Sequence, residues 1–216
     1  ALVSGGTKVA IVEPDYFANR KIVRFLGGEV VPIQLTYSES SSNKGFDLQK
    51  LEDAFKTGVK VFVFSSPNNP TGFVYSANQI NEIAALASKY NVTVIVDQLY
   101  SRLIYSGEVY SNLCAGKVLP NNLITIMGPS KTESLSGFRL GVAFGSPKII
   151  DKMEQLQAIV SLRAAGYNQS VLTTWFNEPS GWIDQRILEH EQIRDKLVTQ
   201  FREANLQVST PQGGSY

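Results

Sequence analysis

Short unbroken apolar runs recur along this chain, each followed by a stretch with helical spacing, and that alternation constrains the fold most. The runs cover residues 9–12, 29–35, 59–64, 92–96, 123–127 and 139–144. They are continuous in Val, Ile and Phe instead of alternating with polar residues, which is how strands buried on both faces of a parallel sheet read. The punctuation between them is helical. Ser76-Ala77-Asn78-Gln79 forms a capping box, after which Ile80, Ile83, Ala84 and Ala87 share one face. Asp47 caps a helix with Leu48, Leu51 and Phe55 on its apolar side, stopped by Gly58. Ser146-Pro147 opens a long helix expected to turn Ile149, Ile150, Met153, Leu156 and Val160 inward. The polar stretch 38–45 reads as a surface loop.

Such alternation predicts an α/β layered domain built on a mostly parallel sheet, with right-handed crossovers that put helices on both faces. After Pro179 the pattern changes to one long polar helix over 181–204 and a strand-like piece at 206–209. The expected division is therefore a large domain over 1–180 and the start of a smaller one over 181–216. The chain has no initiator Met and stops at Gly213-Gly214-Ser215-Tyr216, so it reads as a segment of a longer protein.

Composition removes several classes. With 43% hydrophobic and 18% charged residues the chain is too apolar to be disordered. A net charge of +1, with the signs interspersed, gives no basic stripe for nucleic acid. No apolar run approaches the ~18 residues that span a bilayer. Residues 1–8 do not resemble a signal peptide. The single cysteine, Cys114, cannot form an intramolecular disulfide, so the chain suits a reducing compartment, and Cys114 is expected to pack as a small residue. With His190 the only histidine, expected on the surface of the late helix, no metal site is expected.

Ligands of open parallel sheets bind beyond the carboxyl ends of the strands, so the loops there carry the chemistry. The loop after 59–64 holds Ser66-Pro67-Asn68-Asn69-Pro70-Thr71-Gly72. The one after 92–96 holds Asp97-Gln98-Leu99-Tyr100, and the one after 123–127 holds Gly128-Pro129-Ser130-Lys131-Thr132. If the strand that Arg139 opens runs antiparallel, Arg139 reaches the same edge. A lysine amine can form a Schiff base with an aldehyde once its pKa is lowered. A carboxylate at a buried strand end calls for a cation such as a pyridinium. Tyrosine and asparagine can hydrogen-bond a ring oxygen, and an arginine fork suits phosphate. Together these groups describe a site for pyridoxal 5′-phosphate. Gly-Pro-Ser-Lys-Thr fails as a nucleotide loop because Ser130 precedes the lysine, and no Gly-x-Gly-x-x-Gly occurs.

In the order and spacing of Asn69-Pro70-Thr71-Gly72, of Asp97 with Tyr100, and of Lys131 with Arg139, the chain resembles the class I/II aminotransferases, the fold type I pyridoxal-phosphate enzymes. The resemblance implies that Lys131 carries the cofactor as a Schiff base and shuttles the proton. It pairs Asp97 with the pyridine nitrogen, places Tyr100 and Asn69 at the ring oxygen and Arg139 at the phosphate, and stacks Tyr16 on one ring face with Leu99 covering the other. It further implies a seven-stranded-type sheet and transfer of an amino group from an L-amino acid to a 2-oxo acid by a homodimer, and the reducing compartment that the single cysteine suits is expected to be the cytoplasm.

Two positions depart from the family pattern. Gly128 stands where many relatives have a phosphate-binding serine, which Ser130 or a backbone amide can replace, and Gln98 stands where an acid is common. These departures leave open a carbon–sulfur lyase or a cationic amino-acid oxidase on the same core. A sensor domain of a transcription regulator is a third alternative.

Overall fold

A computed structural model describes residues 2–41 and 44–216; two residues of the expected polar loop, Ser42 and Asn43, lie outside the described residues. The chain builds β1 (Lys8–Glu13), α1 (Phe17–Phe25), β2 (Glu29–Thr36), β3 (Gly45–Phe46), α2 (Leu48–Lys56), β4 (Val61–Ser65), α3 (Ala77–Lys89), β5 (Thr93–Asp97), β6 (Leu123–Met127), β7 (Val142–Gly145), α4 (Pro147–Val160), α5 (Gly166–Gln169) and α6 (Trp182–Glu203). The strands form one seven-stranded sheet in the order β3-β2-β1-β4-β5-β6-β7. All neighbours pair in parallel except the edge strands, β3 on β2 and β7 on β6.

The apolar runs are strands because each side of the sheet has its own core. Ala10, Val12, Phe62, Phe64, Val94 and Val96 point into a cluster closed by α2 and α3. The intervening Val9, Ile11, Val61 and Val63 meet Val23 of α1 on the opposite face. Crossover connections share one hand, so helices following strands that step in opposite directions fall on opposite faces. In α3 the capping box forms, with Ser76 accepting from the Gln79 N–H and Gln79 reaching back, and Ile80, Ile83, Ala84 and Ala87 are the buried residues. In α2 Asp47 accepts from the N–H groups of Gln49 and Lys50, and Leu51, Ala54 and Phe55 are buried.

Five expectations change. β2 alternates toward the edge instead of being buried on both faces, with Ile33 and Leu35 inside and Gln34 and Thr36 outside. Its Pro32 is tolerated because the outer neighbour β3 pairs only with Leu35 and Thr36. In α4 only Ile149 is buried, while Leu156 is 45% and Val160 74% exposed. That helix packs against β7, the last edge strand. Residues 206–209 form no strand, since no neighbour pairs with them; the chain instead makes a single bridge between Ile104 and Gly213. Cys114 is exposed, in the one-turn helix Leu113–Ala115, instead of packed. His190 is half-buried, its Nδ1 2.9 Å from the Arg186 carbonyl.

Candidate active site

The strand order reverses at the β1–β4 junction. β1 leads outward to β2 and β3, and β4 leads the other way to β5, β6 and β7. Such a switch point opens a crevice at the carboxyl edge. Backbone bonds continue the ladder past the strand ends and fix the loops there: the Ser66 N–H donates to the Asp97 carbonyl at 2.9 Å and the Gln98 N–H to the Ile126 carbonyl at 2.8 Å.

A cavity of about 190 Å³ lies at this edge, and it gathers all eight residues singled out in the sequence. Tyr16 enters from the β1 exit, Asn69 from the β4 exit, Asp97, Leu99 and Tyr100 from the β5 exit, and Ser130, Lys131 and Arg139 from the segment between β6 and β7. Arg139 precedes the strand it was expected to open: β7 begins at Val142, and Arg139 ends a one-turn helix, Ser136–Phe138, with left-handed backbone (φ 51°). Because β7 is antiparallel, Arg139 still arrives at the same edge. Ser65 and Ser136 also line the cavity and carried no sequence signal, one being the polar last residue of an apolar strand and the other part of an irregular turn.

Burial holds the Asp97 carboxyl above the usual carboxylate range. A hydrogen bond from the Leu99 N–H at 3.0 Å and the positive charge of Lys131 oppose this rise. Asp97 has no ion-pair partner within contact distance among the described residues, so it presents an acceptor into the cavity that a cationic N–H would satisfy. The Lys131 ammonium stands 5.6 Å from the Tyr100 ring centroid. Tyr100 is buried and tilts against Tyr216, with 4.7 Å between ring centroids. Tyr16 is 41% exposed, and Lys131 and Arg139 are exposed, so the cavity opens to solvent on that side.

The two departures have local reasons. A Cβ on Gly128 would lie 3.0 Å from the Leu140 carbonyl and 3.1 Å from the Leu99 side chain, so a serine there would crowd the turn. Ser130 and Ser136 offer hydroxyls beside Arg139 instead. Gln98 is 2% exposed and donates to Asn112 at 2.9 Å; an acid in its place would add a second buried carboxylate next to Asp97.

The Lys131 loop is anchored from behind. Arg102 forks onto Glu178 at 2.7 and 2.9 Å and also pairs with Glu133, two residues after the lysine. Arg186 of α6 donates to the Thr132 carbonyl and the Ser134 hydroxyl. The donor set, a buried unpaired carboxylate facing an amine with an arginine and two hydroxyls alongside, fits a planar ring that carries a cationic nitrogen, an aldehyde and a phosphate. Among the described residues no group of three or more His, Cys, Asp or Glu is placed to hold a metal, and no helix is long and apolar enough to cross a membrane.

A doubly wound sheet with this crevice is the architecture of an α/β enzyme domain that binds a small cofactor. The chain belongs to the family described as aminotransferase class I and II, whose sequence model matches residues 1–216. Among solved structures, an aspartate aminotransferase from Rhodobacter sphaeroides is 59% identical with a TM-score of 0.95, over 99% of this chain and 55% of that one. Aspartate/prephenate aminotransferase from Thermus thermophilus is 31% identical over 94% of this chain and 48% of its own length. Human kynurenine–oxoglutarate transaminase 3 is 29% identical over all of this chain and 50% of its own length. The chain thus spans about half the length of the curated relatives it matches.

Proposed function

We propose that the full-length protein is a pyridoxal-phosphate-dependent aminotransferase that moves an amino group from an L-amino acid to a 2-oxo acid. The observation that carries this reading is the convergence of Lys131, Asp97, Tyr100, Asn69 and Arg139 on one cavity from three separate strand exits. When bound, the cofactor supplies an electron-withdrawing ring that spreads the charge left when an amino acid loses its α-proton. Lys131 would supply the amine that tethers it and the base that moves that proton. Asp97 holds the proton on the ring nitrogen; its buried carboxyl stays ionised best opposite a cation. Tyr100 and Asn69 hydrogen-bond the ring oxygen. Arg139, with Ser130 and Ser136, binds the phosphate. Tyr16 and Leu99 would bracket the ring.

The names of the relatives make aspartate the first donor to try and 2-oxoglutarate a natural acceptor. We extend the proposal to a cytoplasmic homodimer in which residues 1–180 form the cofactor-binding large domain and 181–216 open a smaller one.

The test is the visible spectrum of the full-length protein reconstituted with pyridoxal phosphate. A band that borohydride abolishes, and that Lys131→Ala lacks, is expected; its absence in the unaltered protein would sink the reading. Asp97→Ala should lower kcat by about two to four orders of magnitude, the rate equivalent of the roughly 3–5 kcal/mol lost when one partner of a buried charge pair is removed. Near-native turnover contradicts the role of Asp97. Product analysis separates transfer, which yields an amino acid from the acceptor, from the lyase and oxidase outcomes, which release ammonia without one.

A further inference from the structure

Asp15, between β1 and α1, belongs to none of the roles above, yet it joins the two strand exits that flank the switch point. One carboxylate oxygen accepts from the Tyr16 N–H at 2.7 Å and from Asn19 at 3.1 Å. The other accepts from the N–H and the hydroxyl of Ser65, both at 2.9 Å, and from Asn68 at 3.2 Å. The Ser65 hydroxyl, its proton given to Asp15, accepts in turn from the Asn69 N–H at 2.9 Å. One carboxylate thus holds the backbone of Tyr16 directly and that of Asn69 through a single hydroxyl.

We propose that Asp15 is a positioning residue of this site, whose carboxylate fixes the Tyr16 ring and the Asn69 amide relative to each other and so sets the width of the cofactor slot. The inference rests on the reading of the site given above. No arginine, lysine or histidine pairs with Asp15 among the described residues. The titratable groups facing it are Asp97 from β5, Tyr75 after β4, and Tyr216. Burial and the neighbouring Asp97 push the Asp15 carboxyl up to about 6, against the hydrogen bonds from Ser65 and Tyr16. A free Asp ionises near 3.8, so between about 4 and 6 the folded chain keeps a proton that the unfolded chain has released. Folding therefore loses stability as pH rises through that window. A carboxylate that burdens the fold when ionised, while its ionised form organises two cofactor-facing residues, is a group kept for the site. Protonation places a hydrogen on an oxygen that must accept from three donors, so the link loosens below about pH 6.

The experiment measures the dissociation constant for pyridoxal phosphate by absorbance titration of the full-length apoprotein, unaltered and as Asp15→Asn, from pH 5 to 8. The apoproteins' thermal midpoints are measured alongside. Asp15→Asn should bind about tenfold more weakly at pH 8, the loss of roughly one charged hydrogen bond. The ratio of the two constants should approach one at pH 5, where the unaltered side chain is also neutral; taking the ratio cancels the cofactor's own titration. A ratio that stays constant with pH, or equal binding at pH 8, overturns the proposal. If Asp15→Asn melts early, Ser65→Ala decides, since it keeps the carboxylate and cuts its link to Asn69. Weakened binding then upholds the proposal, and unchanged binding overturns it. An unaltered protein that binds no cofactor at any pH sinks the functional reading as well, so the two failures are told apart.

Discussion

At the residue scale, Gly72 shows why the Asn-Pro-Thr-Gly turn ends in glycine. Its φ is +67°, and a Cβ there would lie 2.5 Å from Pro211 Cβ and 2.6 Å from the Gly213 carbonyl. The Gly72 carbonyl accepts from the N–H groups of Gln212 and Gly213 at 2.9 and 3.0 Å. The turn that delivers Asn69 to the cavity is thus also the seat of the last residues of the chain. Gly72→Ala is expected to destabilise this docking on the order of 1–3 kcal/mol, the range for overpacking. Hydrogen exchange at the Gln212 and Gly213 amides measures it: both should exchange faster while the core of β4 and β5 is unchanged. Protection equal to that of the unaltered protein would contradict the account.

At the element scale, helix starts are written locally. Asp47 satisfies two N–H groups of α2, and the Ser76–Gln79 box closes α3 on itself. Both helices then bury the faces that their spacing requires. Asp47→Ala should cost about 1 kcal/mol, the usual loss of a helix cap, read as a lower denaturant midpoint with an unchanged slope. A change in slope would instead point to an altered unfolded or native compactness. α1 starts at Tyr16 with no side-chain cap and buries only Val23, so its sequence carried no comparable signal.

At the scale of the whole molecule, the segment carrying Lys131 is held by residues far apart in the chain. Arg102 follows β5, Glu133 follows β6, and Glu178 precedes α6; their side chains are 18%, 6% and 15% exposed. The Arg102 fork pulls the Glu178 carboxyl down to about 2, whereas burial outweighs the same arginine at Glu133 and holds that carboxyl up. Arg102→Ala would leave Glu133 buried without its cation, and a loss of about 3 kcal/mol in unfolding free energy is expected. The measurement is chemical denaturation at pH 7, and a change within ±0.5 kcal/mol, as for an ordinary surface site, would show that the cluster does not hold the loop.

The sequence by itself determined the β–α alternation, the capped helices and the identities of the residues that line the cavity, because each rests on local spacing or on groups placed just past a strand end. Lys131, Asp97 and Asn69 were legible since the carboxyl edge of a parallel sheet gathers whatever follows its strands. Only the tertiary structure decided which faces stay buried: β2 alternates and the outer face of α4 is open because each lies near an edge of the sheet. It alone also brought Asp15 to Ser65 and Arg102 to Glu133 and Glu178. Those contacts span tens of residues and depend on sheet order, and no pattern within one segment encodes which strand becomes its neighbour.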